Sequence, residues 1–139
     1  MMRDKNLYYT YRGRVSLYIL LKAMNVQKND LVAVQSFTCS AVVEAILALK
    51  AKPIFIDVDK DSLSLSPEKL MSFLESNTVI KKDGFCWNKY TNRRIKACIL
   101  MHTFGLPGRL EEVKSICIKF NILLIEDAAE SLGSFYKDT

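Results

Sequence analysis

The sequence predicts an α/β fold, a three-layer sandwich in which a mostly parallel sheet is covered by helices on both faces. Three observations predict it. Helical and strand-like segments alternate along the chain. The strand-like segments are short, continuous apolar runs, as expected of strands buried on both faces. Acids, hydroxyls and the single histidine collect just after those runs, where open parallel sheets place their ligands.

Taken in order, Arg14 to Val26 follows Gly13 as a helix so rich in apolar residues that it is expected to be largely buried. Leu31 to Val34, bounded by Asn29-Asp30 and Gln35-Ser36, predicts an interior strand. Ala41 to Leu49 is a second apolar helix with Glu44 as its only charge, and Pro53 to Val58 is a strand rich in isoleucine. Ser66 predicts an N-cap, followed by Pro67 at the first helical position and Glu68 in the first turn. Asp83-Gly84 and Thr91-Asn92 are turn signals, so Thr78 to Thr91 reads as a hairpin-like excursion. Ile95 to Met101 returns as a strand. Arg109 to Phe120 is an amphipathic helix with Leu110, Val113, Ile116, Cys117 and Phe120 on one face. Ile122 to Ile125 is a buried strand ending in Glu126-Asp127.

Composition narrows the function classes. Hydrophobic residues at 50% and charged residues at 25% fit a folded globular protein. No apolar run has a membrane-span length, and Met1 to Arg14 lacks the apolar centre of a signal peptide, so a cytoplasmic location is expected. Cys39, Cys86, Cys98 and Cys117 form no C-x-x-C pair and stand with one histidine, which argues against a metal site. Residues 77–96 hold Lys81, Lys82, Lys89, Arg93, Arg94 and Lys96 against Asp83, and so carry the whole net charge of +5. A nucleic-acid binder more often spreads such charge over a face or groove, and none is expected as a partner. A solvated hairpin and a rim attracting a phosphorylated substrate both stay open for this segment.

Four places at strand or helix ends carry candidate chemistry. Glu126, Asp127 and Glu130 cluster at the end of the last strand, suiting magnesium, a helix cap or a phospho-acceptor site. His102, after the Ile95 strand, suits a structural hydrogen bond or catalysis, and the hydroxyls of Ser36 and Thr38 suit a helix cap or a ligand. Gly13, Arg14 and Val15 open the first helix, whose free amides and dipole favour a phosphate, without a Walker or G-x-G-x-x-G motif.

In combination, GRVSLYILLKAM, PIFIDVD, HTFGLPGRLEEV and ILLIEDAAESLGSFYKD occur in an order and spacing that resemble the DegT/DnrJ/EryC1/StrS aminotransferases, which have the aspartate-aminotransferase fold. The resemblance covers most of residues 12–138. It implies an incomplete large domain of the fold type I architecture, residues 1–139 being a partial domain that binds pyridoxal 5'-phosphate, with the C-terminal small domain absent. It implies amino transfer from glutamate to a nucleotide-linked keto sugar, in amino-sugar or surface polysaccharide biosynthesis, by a homodimer in the full-length form. WNKYTNRRIKA further resembles members acting on sugars of the legionaminic or bacillosamine type.

Carried over residue by residue, Asp127 matches the partner of the cofactor's pyridine nitrogen, and Gly13, Arg14 and Val15 match the phosphate-holding helix start. Arg14 stands where most members have a small hydroxyl residue. Glu130 stands where many carry glutamine or histidine near the ring. Cys39 stands where many place an aromatic over it, and Phe37 is a candidate substitute. His102 matches a histidine regarded as structural. The Schiff-base lysine has no counterpart; Lys137 lies too near Asp127. No catalytic residue is therefore assigned, and the chain by itself is expected to be inactive. Two alternatives stand beside this reading: a non-catalytic module that binds cofactor or nucleotide sugar or supports dimerisation, and an unrelated domain that holds magnesium at Asp127.

Overall fold

The structure is a computed structural model and describes residues 7–134. Its elements are α1 (Gly13–Ala23), β1 (Leu31–Gln35), α2 (Ser40–Ala48), β2 (Lys52–Ile56), α3 (Pro67–Asn77), β3 (Thr78–Ile80), β4 (Cys86–Asn88), β5 (Ile95–Met101), a 3-10 turn (Thr103–Gly105), α4 (Leu110–Lys119) and β6 (Leu123–Asp127). Four strands form one parallel sheet in the order β2-β1-β5-β6, and β3 and β4 make a separate antiparallel hairpin.

The pleat sorts side chains to the two faces. On β1, Val32 and Val34 join Leu17 and Leu21 of α1 and Val42 and Ile46 of α2 in one buried cluster, while Leu31 and Ala33 join Leu70 and Leu74 of α3 and Val113 and Ile116 of α4 in the other. The predicted three layers follow directly. A bulge between Leu31 and Val32, opposite Lys96, puts Ile95 in the same cluster as Cys98 and Leu100. Pro53 sits in β2, an edge strand, where its missing N–H interrupts no interior ladder.

Helix ends explain much of the segmentation. Ser66 Oγ accepts the Lys69 amide at 3.3 Å, with Pro67 opening α3 as the sequence predicts. Helices α1 and α4 close on left-handed asparagines, Asn25 (φ 58°) and Asn121 (φ 52°). Val26 then donates to the Leu21 carbonyl and Ile122 to that of Cys117, which ends each helix and turns the chain into the next segment.

Two expectations are corrected: the last strand, expected to be buried, is the edge strand β6 with Leu123 39% exposed, and the first helix is more open than expected. Helix α1 is not largely buried: only Leu17 and Leu21 are, and Ile19 is 50% exposed with Val15 and Leu20 beside it. One stripe meets α2 and the sheet, and no other described element covers the opposite stripe. Of the two readings left open for the basic segment, its place in the fold favours the hairpin, away from the strand ends where the candidate site forms. The Trp87–Arg94 bridge and the Arg94 carbonyl, which accepts the Leu31 amide at 2.8 Å, tie the hairpin to the amino ends of β1 and β5. That is the other end of the sheet, about 20 Å away for strands of this length. Several of its cations are engaged within the fold. Lys89 Nζ donates to the Glu75 and Ser76 carbonyls ending α3, and Lys81 and Arg94 lie over Trp87 and Phe85.

Candidate functional site

The carboxyl ends of β1, β5 and β6 lie side by side, with Met101 paired to Asp127. The start of α1 comes to the same end of the sheet. Between them is a cavity of about 180 Å³ whose walls include Gly13, Arg14, Cys39, Met101, Asp127 and Glu130. Five of the six sequence-predicted site residues therefore meet in one place. Val15 lies one residue along the helix and outside the wall, and its amide already donates to the Arg12 carbonyl at 2.9 Å.

The helix start is built to leave donors free. Arg12 is extended (φ −152°, ψ 151°) and gives no side-chain cap. Its carbonyl takes the Val15 and Ser16 amides, and those of Gly13 and Arg14 have no acceptor among the described residues. A Cβ at Gly13 would meet nothing within 4 Å, so there is open space beside these donors. The Arg14 side chain forms an ion pair with Glu44 of α2, which engages its charge.

Across the cavity, Asp127 Oδ1 accepts the Ala129 amide at 3.1 Å. Its other oxygen has no partner among the described residues. The neighbouring acids are each tethered by one oxygen. Glu126 Oε1 meets His102 Nε2 at 2.7 Å, and Glu130 Oε2 accepts the Phe104 amide at 2.7 Å. Among the described residues no three histidine, cysteine, aspartate or glutamate groups converge as a metal site. His102 is buried, and its Nδ1 accepts the Gly108 amide at 2.9 Å, so the neutral ring carries its proton on Nε2 and donates to Glu126. Its geometry ties the β5–α4 loop to β6.

That loop is strained where it passes the site. Phe104 (φ 53°) and Gly105 (φ 79°) are both left-handed, and a Cβ on Gly105 would stand 3.3 Å from the Glu130 carbonyl. Phe104, 68% exposed, packs edge-on against Phe37 with ring centroids 6.0 Å apart. The hydroxyls of Ser36 and Thr38 do not cap α2: its N-cap is Cys39, which makes no side-chain cap bond, and Thr38 reaches instead toward Met101 Sδ. Lys137 lies outside the described residues.

Gln35 is the residue that sequence reasoning passed over, reading it only as a strand boundary. It is fully buried and bonds to the strand end and loops around the cavity. The available signal was an amide closing an otherwise apolar strand, since a buried polar group requires partners.

A parallel sheet with an anion-ready helix start and a free carboxylate at its carboxyl ends is the architecture of the large domain of fold type I aminotransferases. A model of the DegT/DnrJ/EryC1/StrS aminotransferase family matches residues 5–139, and the chain belongs to that family, whose enzymes use pyridoxal phosphate. It is 35% identical over 125 residues to EpsN of Bacillus subtilis, a protein assigned as a pyridoxal phosphate-dependent aminotransferase, covering 90% of this chain and 29% of that one. The crystal structure of a DegT DnrJ EryC1 StrS aminotransferase from Brucella abortus superposes with a TM-score of 0.75 at 29% identity, covering 87% of this chain and 30% of that one. NtdA from Bacillus subtilis, solved with the cofactor PMP, shares the fold with a TM-score of 0.69 at 21% identity, covering 87% and 24%. The chain thus spans about three-tenths of the length of the relatives it matches.

Proposed function

We propose that residues 1–139 are the front part of the cofactor-binding large domain of an aminotransferase. Its reaction moves an amino group from glutamate to a nucleotide-linked keto sugar, for amino-sugar or surface polysaccharide synthesis. Family membership and the likeness to EpsN support this reading. The observation that carries it is the cavity that sets the amides of Gly13 and Arg14 against an oxygen of Asp127, all without a partner among the described residues.

The residues present fit pyridoxal phosphate. The Gly13 and Arg14 amides and the positive end of the α1 dipole would hold its phosphate. Asp127 would hold a proton on its ring nitrogen, and the Ala129 amide fixes one oxygen of that carboxylate at the cavity wall. Cys39 and Glu130 would flank the ring from the walls, Glu130 being tethered to the Phe104 amide. When bound, the cofactor supplies an electron sink for a carbanion next to nitrogen. In this reading the lysine that anchors the cofactor and shuttles the proton, together with the small domain, belongs to chain outside residues 1–139. The full-length form is a cytoplasmic homodimer. No helix among the described residues is long and apolar enough to cross a membrane.

The test is the absorption spectrum of the purified 139-residue chain with pyridoxal phosphate, before and after borohydride, followed by intact mass and an assay with keto sugar and glutamate. Reversible binding without a fixed lysine adduct and without turnover is expected. An adduct at one lysine, or turnover, would show that the chain holds its own anchor. Absence of binding would remove the cofactor assignment.

A further inference from the structure

Gln35 ends β1 with none of its surface exposed. Its Oε1 accepts the amides of Met101 (3.1 Å) and Leu65 (3.2 Å). Backbone amides only donate, so these two bonds fix which side-chain atom is oxygen. Its Nε2 donates to the Phe37 carbonyl and to Thr103 Oγ1, both at 2.9 Å, with a longer contact to the Leu63 carbonyl at 3.3 Å. Thr103 Oγ1 passes its own proton to the Leu63 carbonyl at 3.0 Å. One amide thus joins the loop after β1, the loop after β2 and the end of β5, and every polar atom it has is engaged.

Two of these segments run straight into the cavity. Met101 is in its wall, and Cys39, also in the wall, stands two residues beyond Phe37. We propose that Gln35 is a positioning residue for the cofactor site, setting the Cys39 loop and the Met101 strand end at the spacing the cofactor ring requires. This rests on the reading of the cavity as a pyridoxal phosphate site. The mechanism is geometric: a shared amide fixes two walls relative to each other where each alone would have an exposed or irregular backbone.

Gln35→Glu tests it, because a carboxyl has at most one O–H where the amide has two N–H donors, so at least one of the Phe37 carbonyl and Thr103 Oγ1 loses its donor. Cys39 supplies an independent reporter: it is exposed, whereas Cys86, Cys98 and Cys117 are buried. In a variant with wild-type circular dichroism and unreactive buried thiols, Cys39 is expected to react severalfold faster with iodoacetamide. The dissociation constant for pyridoxal phosphate is expected to rise on the order of tenfold. An unchanged Cys39 rate or an unchanged affinity in the folded variant overturns the proposal. If Gln35→Glu does not fold, Thr103→Val, which removes one partner of the same amide, decides by the same two readouts. If wild-type protein neither binds pyridoxal phosphate nor shows Cys39 protection by it, while Gln35→Glu still alters the Cys39 rate, the cofactor reading fails and loop positioning by Gln35 stands.

Discussion

At the scale of single residues, Asp127 shows how much of a side chain's role depends on where the fold places it. Glu126, Asp127 and Glu130 are three similar acids within five residues, each holding one hydrogen bond through one oxygen, with His102, the Ala129 amide and the Phe104 amide respectively, yet only Asp127 and Glu130 line the cavity. Replacing Asp127 by Asn removes that charge with little change of shape. It is expected to weaken pyridoxal phosphate on the order of tenfold, read by spectral titration. Two glycines give a second contrast. A Cβ at Gly108 would stand 3.0 Å from both Leu100 Cδ1 and Ser64 Cβ, so Gly108→Ala is expected to destabilise by about 1–3 kcal/mol in urea unfolding. At Gly13 a Cβ has open space, so Gly13→Ala is expected to leave stability near wild type while lowering cofactor affinity. Equal losses of stability at both positions would refute the assignment of that space to a ligand.

At the scale of elements, the start of α4 is joined to the β2–α3 loop and to α3 through one guanidinium. Arg109 contacts Glu68 at 2.6 Å and Asp59 at 3.7 Å, and forms a two-pronged pair with Glu112. The carboxyl of Asp59 is held below its ordinary value of 3.8, first by the Ser62 amide and also by Arg109. That of Glu68 is held below 4.5, first by its own backbone amide and then by Arg109. A carboxylate with a lowered folded pKa contributes stability above its unfolded pKa and loses it as pH falls through the folded one. The destabilisation by Arg109→Ala is therefore expected in full near neutrality and to shrink as pH falls below those ordinary values. Urea midpoints of both proteins across that range measure it. A difference independent of pH would make Arg109 a packing residue only. The cluster is partly solvent-exposed, Glu68 and Glu112 most of all, so added salt should diminish the effect as well.

At the scale of the whole molecule, the sheet separates two kinds of surface. The candidate site occupies the carboxyl ends of the strands, and the basic hairpin occupies the amino ends. Lys82→Glu with Arg93→Glu is accordingly expected to leave pyridoxal phosphate affinity unchanged at moderate salt, because the separation exceeds the roughly 8–10 Å screening length. A severalfold loss of affinity in a folded double variant would return the hairpin to the site.

The elements, the parallel sheet and the residues that close the strands were legible in the sequence because each rests on local signals. Ser66-Pro67-Glu68 writes its own helix start, Leu31 to Val34 its own buried strand, and IEDAAESLGS its family. What the sequence could not show depends on contacts between distant residues. The exposed stripe of α1 follows from which helices are present to cover it. The hairpin's place follows from Arg94 meeting Leu31 across 63 positions, and the role of Gln35 from bonds reaching 66 and 68 positions along the chain. Periodicity and capping act over a few residues and determine what each segment becomes. Only the folded sheet, which brings three strand ends and a helix start together, decides which of their polar atoms are used up within the protein and which remain for a ligand.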